Sequence, residues 1–119
     1  MSEAIAVEQW VRVARVEDFP SNAGACVKLG DEQIAVFNFA SHRDWYACQN
    51  MCPHKRDMVL SRGLIGDQEG TPKVACPQHK KTFSLIDGSN LGGEEYSINI
   101  YPVKVEQGFV YIGADSVGN

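Results

Sequence analysis

The sequence of 119 residues predicts an all-β protein whose antiparallel sheets form a sandwich or small barrel. Three observations carry that class. Apolar and polar residues alternate with a period of two in short runs, the pattern of half-buried strands. Turn signals recur about every eight to twelve residues, as in all-β sandwiches and barrels. Only "RVEDF" suits a helical turn, and it is short.

Taken in order, "EQWVRVARV" sets Trp10 on one side of an alternation with Val11 and Val13 on the other. Gly30 and Asp31 mark a turn before "QIAVFNF", a second β-rich run. "DWYACQ" is the third. "KVAC" leads up to Cys76 and "KTFSL" leads away, ahead of a turn at Asp87-Gly88. The tail reads as a hairpin, with Val103 and Val105 opposite Val110 and Ile112 across a turn containing Gln107-Gly108. No repeat, low-complexity tract or linker interrupts these runs.

The length suits one domain over residues 1–119, with its core over about 8–113. A hydrophobic fraction of 44% and a charged fraction of 22% exclude a disordered chain. No stretch approaches the roughly 20 apolar residues of a membrane-spanning helix. "MSEAIAVEQW" has neither the basic start nor the apolar run of a secretory signal, so a cytoplasmic protein is expected. The net charge of −4 argues against nucleic acid as a partner.

A reducing cytosol disfavours disulfides, so the four cysteines point to metal ligands or buried thiols. Two of them belong to a pattern. Cys52-x-His54 is followed, after 21 intervening residues, by Cys76-x-x-His79. Both pairs fall between strands, on finger-like loops at one end of the β-scaffold. Two thiolates and two imidazoles hold either a tetrahedral zinc or a Rieske [2Fe–2S] cluster. Cys48 and Cys26 are expected to be buried thiols, and His42 a solvated turn residue. Trp10, Trp45 and Tyr46 read as core or cluster-end aromatics.

The text around the pairs narrows the choice. "CPH" followed by "LSRG", then "ACPQH" followed by "TFSLIDG", resembles the Rieske iron–sulfur domain from about Trp10 to Ile112. More narrowly, "CPHKRDMVLSRGLIGD" and "VACPQHKKTFSL" are similar to the small subunits of assimilatory NAD(P)H nitrite reductases. Rieske ferredoxins usually carry Gly after the last ligand histidine. Lys80-Lys81 stands there instead and favours the nitrite reductase branch. The longer spacing between the pairs puts an insertion at "GDQEGTPK", expected as a solvent-facing hairpin tip.

The resemblance implies a Rieske [2Fe–2S] cluster with Cys52 and Cys76 on the inner iron and His54 and His79 on the outer one. Neutral imidazoles leave the oxidised cluster formally uncharged, which makes it easier to add an electron than with four thiolates. Pro53 and Pro77 fix the backbone beside each pair. High-potential Rieske proteins add a disulfide between the loops and Ser and Tyr hydroxyls near the cluster. Gln78, Lys81 and Phe83 occupy the corresponding positions here, which implies a low-potential centre.

The implied partner is the nitrite reductase large subunit, which carries FAD, a [4Fe–4S] cluster and sirohaem, and no membrane is involved. No Gly-rich dinucleotide fingerprint occurs in this chain, in keeping with nicotinamide and flavin binding elsewhere. Lys55, Arg56, Lys80 and Lys81 follow the ligand histidines closely and read either as solvated loop tips or as a docking patch. A freestanding Rieske ferredoxin serving an oxygenase, or a structural zinc module, are the alternative readings.

Overall fold

The computed structural model describes residues 10–40, 44–54, 56–78 and 80–113. Strand β1 (Trp10–Arg15) leads into a 3-10 turn at Val16–Asp18, the short helical turn read from "RVEDF". Strands β2 (Ala23–Leu29), β3 (Glu32–Phe39) and β4 (Asp44–Gln49) follow as a meander, and β2 turns into β3 at Gly30, whose φ is 64°. The short β5 (Met51–Cys52) and β6 (Asp57–Met58) form a ribbon, with a 3-10 turn at Leu60–Arg62 behind it. Next come β7 (Leu64–Gln68), β8 (Thr71–Ala75) and β9 (Thr82–Ser84), and finally β10 (Ile100–Tyr101), β11 (Val103–Glu106) and β12 (Phe109–Gly113).

Four antiparallel sheets result, in the orders β1-β12-β11, β10-β4-β3-β2, β5-β6 and β7-β8-β9. The expected tail hairpin is present, with Val103 opposite Ile112 and Val105 opposite Val110. Its turn residues Gln107 and Gly108 both have positive φ, as a twisted two-residue hairpin turn requires. The "GDQEGTPK" segment is likewise a hairpin, β7 to β8, turning at Glu69 and Gly70 (φ 53° and 89°).

Strand β3 organises the interior, because both of its faces are covered. Ile34 and Val36 face one apolar cluster with Phe19, Ala47, Tyr101, Val110 and Ile112. Ala35, Phe37 and Phe39 face another with Cys48, Leu60, Val74, Phe83 and Leu85. A strand alternates its side chains at a period of two, so one continuous apolar run serves two cores. Trp45 and Tyr46 divide the same way. Trp45 packs edge-on to Phe19 at 5.4 Å in the first core, and Tyr46 edge-on to Phe39 at 5.1 Å in the second.

Two aspects of the structure differ from the sequence reading. The alternation in β1 breaks at a bulge between Arg12 and Ala14, so Val13 and Ala14 both pack inward. Trp10 stays outside, under the Lys104 ammonium at 4.7 Å, and is not a core aromatic. Cys26 is exposed rather than buried. It lies on the edge strand β2, where Ala25 and Val27 take the inward positions and Cys26 must point the other way. Cys48 is fully buried as expected, and burial pushes its thiol pKa strongly up. Among the described residues, no helix is long and apolar enough to cross a membrane.

Candidate metal centre

Two loops at the β5-β6 and β8-β9 connections carry the expected ligands, and their backbones close alike. In the first, Arg56 N donates to Cys52 O at 2.7 Å. In the second, Lys80 N donates to Cys76 O at 2.9 Å. Each bond joins residue i+4 to the cysteine carbonyl, and each i+4 residue is left-handed, with φ of 63° at Arg56 and 58° at Lys80. The second loop is tied further by Cys76 N donating to Lys81 O at 2.7 Å. Proline follows the cysteine in both, restricting the turn before the ligand histidine position.

Both cysteines point inward. Cys52 is 2% exposed and Cys76 1% exposed, neither is in a disulfide, and both belong to the second apolar core. His54 stands half-buried at the rim, its ring edge-on to Tyr96 at 5.6 Å. Three of the four expected ligands are thus placed at one end of the β-scaffold. His79, together with His42 and Lys55, lies outside the described residues. Among the described residues, no three His, Cys, Asp or Glu side chains form a metal-holding group without it. Buried thiols on two matched loops, with a half-buried imidazole beside them, fit a group that takes sulfur on its inner side and nitrogen on its outer side.

The base of the first loop depends on a residue outside the Cys/His motif. Asn50 is a buried amide, 2% exposed. Its Oδ1 accepts from Ser61 N at 2.7 Å and its Nδ2 donates to Gln33 Oε1 at 3.0 Å, while its carbonyl accepts from Leu60 N at 3.0 Å. Asn50 therefore ties the strand that ends in Cys52 to the "LSRG" turn. In that turn Gly63 sits where a Cβ would run into the Ala75 carbonyl, one residue before Cys76. The sequence signal for this role is an amide residue two positions before the first ligand cysteine.

The charges around the loops are not all free. Lys81 Nζ donates to Glu94 Oε2 at 2.8 Å, so Lys81 is not a free docking cation. That hydrogen bond raises the Lys81 pKa, with a smaller contribution from the Cys52 charge across the loops. The same bond holds the Glu94 carboxyl low, and the charge of His54 adds to it. Arg56 and Lys80, at equivalent positions of the two loops, are exposed.

The family profile described as a Rieske-like [2Fe-2S] domain matches residues 9–113. The Escherichia coli K12 nitrite reductase (NADH) small subunit is 35% identical over 106 residues, covering 89% of this chain and 98% of that protein. The Klebsiella oxytoca nitrite reductase [NAD(P)H] large subunit is 38% identical over 110 residues. That match covers 92% of this chain but only 11% of the longer protein, so the chain spans about a tenth of that relative. Among solved structures, the nitrite reductase [NAD(P)H] small subunit from Erwinia carotovora superposes with a TM-score of 0.75 at 34% identity, covering 89% of this chain and 82% of that one.

Proposed function

Because the chain belongs to the Rieske-like [2Fe-2S] domain family, alongside nitrite reductase small subunits, we propose that it is the electron-transfer small subunit of a cytoplasmic NAD(P)H nitrite reductase. That enzyme would reduce nitrite to ammonium in nitrate assimilation. Cys52 and Cys76 would hold the inner iron, His54 and His79 the outer one. Bound there, a [2Fe–2S] cluster would take up and return one electron at a time. The chain's own residues bury the sulfur side from water and keep one imidazole edge at the rim, where an electron has the shortest path to a partner. FAD, sirohaem and a [4Fe–4S] cluster would reside on the large subunit, the proposed partner, and bond chemistry would take place there.

One observation carries this reading above the others: two Cys-Pro loops, closed by equivalent hydrogen bonds, each put a buried thiol that is in no disulfide into the same core. The proposed docking face surrounds them, with Arg56 and Lys80 exposed and Met58 and Leu64 presenting apolar surface beside β5 and β8. The test is protein prepared without oxygen. A brown sample with about two irons and two labile sulfides per chain, a Rieske-type paramagnetic signal on reduction, and capture of a sirohaem protein by the tagged chain are expected. A colourless sample with equimolar zinc would overturn it in favour of a structural zinc module. Capture of an oxygenase would favour a freestanding ferredoxin.

A further inference from the structure

The bulge between Arg12 and Ala14 turns both arginines of β1 to the same side. Three positions apart on a regular strand they would face opposite ways, but here Arg12 lies opposite Tyr111 and Arg15 opposite Phe109. Phe109 and Tyr111 point away from the interior, because Val110 and Ile112 fill the first apolar core from the other face of β12. Both guanidiniums therefore stand over one ring, Arg12 at 4.6 Å and Arg15 at 5.9 Å from the Phe109 centroid. With Asp18 and the bulge residues they line an open cavity of about 390 Å³. Further along the same face Lys104 lies opposite Tyr111, its ammonium 4.7 Å from the Trp10 ring and 5.4 Å from the Tyr111 ring.

We propose that this outer face of the β1-β12-β11 sheet is a second contact surface for the large subunit, with Arg12 and Arg15 receiving a carboxylate from an acidic segment of it. Two guanidiniums brought over one ring repel each other unless an anion joins them. The chain itself supplies little of that charge. Glu17 stands 3.9 Å from Arg15, Asp18 Oδ2 accepts from Arg15 N at 3.0 Å, and Glu106 lies 3.6 Å from Lys104. Arg12 has no ion pair among the described residues. A guanidinium binds a carboxylate through two parallel hydrogen bonds, and Trp, Tyr and Arg are the residues that carry most binding energy at protein interfaces. Rings spread along a sheet offer apolar contact to a polypeptide, which a small anion would not use. The face covers the first core whereas Cys52 and Cys76 belong to the second, so this contact and the ligand loops lie over different cores. The proposal rests on the large-subunit reading for the identity of its partner.

The test is calorimetric titration of the chain into purified, sirohaem-containing large subunit. Arg12→Glu should raise Kd roughly tenfold, and Arg12→Lys should raise it less, since lysine keeps the charge but not the two-pronged fork. Lys28→Glu, exposed on β2, makes the same charge change as Arg12→Glu and should stay near wild type. A second arm needs no variant: bound large subunit should slow phenylglyoxal modification of Arg12 and Arg15 in the wild-type chain, followed by peptide mass. Unchanged affinity in Arg12→Glu, or binding that leaves both arginines as reactive as before, overturns this contact and leaves the large subunit as partner. Equal weakening by Lys28→Glu overturns it in favour of net charge. Protection of Arg12 and Arg15 in the chain alone as its concentration rises overturns it in favour of a second copy on this face. A wild-type chain that does not bind the large subunit at all overturns the large-subunit reading, and this contact falls with it.

Discussion

Asn50 shows how much one buried amide can hold. It satisfies the backbone N–H groups of Leu60 and Ser61 and receives Gln33 as a partner, so removing its side chain leaves the Ser61 N–H buried without an acceptor. A stranded buried donor costs about 1–3 kcal/mol. Urea unfolding of Asn50→Ala should show a stability loss of about that size, with reduced iron uptake because the first ligand loop loses its base. An unchanged midpoint would mean that water replaces the amide. Phe83 and Lys81 raise a second residue-scale question, the potential. Phe83 is fully buried and brings no hydroxyl, Lys81 is engaged by Glu94, and Ser84 Oγ accepts from Ile86 N and Asp87 N within its own turn. With few donors to stabilise added charge, the midpoint should fall below about zero millivolts in a redox titration read by paramagnetic resonance. Phe83→Tyr should raise it, and a wild-type midpoint well above zero would reject this account.

At the scale of elements, the matched loops trade stability for placement. Arg56 and Lys80 are non-glycine residues in the left-handed region, where an L-residue is disfavoured by roughly 1–2 kcal/mol. They stay there because the i+4 hydrogen bonds to Cys52 and Cys76 require that backbone. Arg56→Gly and Lys80→Gly should therefore each stabilise the cluster-free protein by about 1 kcal/mol in denaturant unfolding, since glycine meets no Cβ clash at these torsions. A lower stability in both would show that the two side chains make contacts that outweigh the strain. The sequence anticipated much at this scale. The Gln107-Gly108 hairpin, the Asp87-Gly88 turn and the β7-β8 hairpin were legible, because turn chemistry is local and needs only neighbouring residues. The Cys/His loops were legible for the same reason. The β5-β6 ribbon, the pairing of β10 with β4 and the approach of Tyr96 to His54 were not. The ribbon strands are two residues each, too short to show a period, and the other two contacts join segments distant in the chain.

For the molecule as a whole, two cores share β3 and β4, and titratable groups lie in both. Burial raises the pKa of Cys48, and it raises that of Tyr101, where Glu32 and Cys48 add to the effect. A folded-state pKa above the unfolded value favours the folded state while the group is protonated, so this stabilisation is complete below the unfolded thiol pKa. It is lost as pH rises beyond it. Between about pH 7 and pH 9.5 the cluster-free protein should lose about 1 kcal/mol through Cys48, and Cys48→Ala should flatten that part of the profile. A slope unchanged by the substitution would shift the cause to the tyrosines or the ligand thiols.

The exposure of Cys26 was the clearest misreading at this scale, since composition says that cysteines are buried, while only the sheet order makes β2 an edge. The cations of the loops divide: Lys81 is engaged by Glu94, Lys55 lies outside the described residues, and Arg56 and Lys80 are exposed. The chain carries −4 overall, yet Arg56 and Lys80 occupy equivalent exposed positions on both ligand loops. Cations concentrated at the ligand-loop end of an acidic protein would orient it as it approaches an acidic partner face, and the effect should weaken with salt. Arg56→Glu with Lys80→Glu should slow reduction by the large subunit roughly tenfold at low ionic strength and remove most of its salt dependence. Lys28→Glu, on the edge strand β2, makes the same charge change as either single substitution and should have little effect. If Lys28→Glu slows the reaction as much as Arg56→Glu alone, net charge rather than a patch governs the encounter, and the ligand-loop end loses its claim to be the docking face.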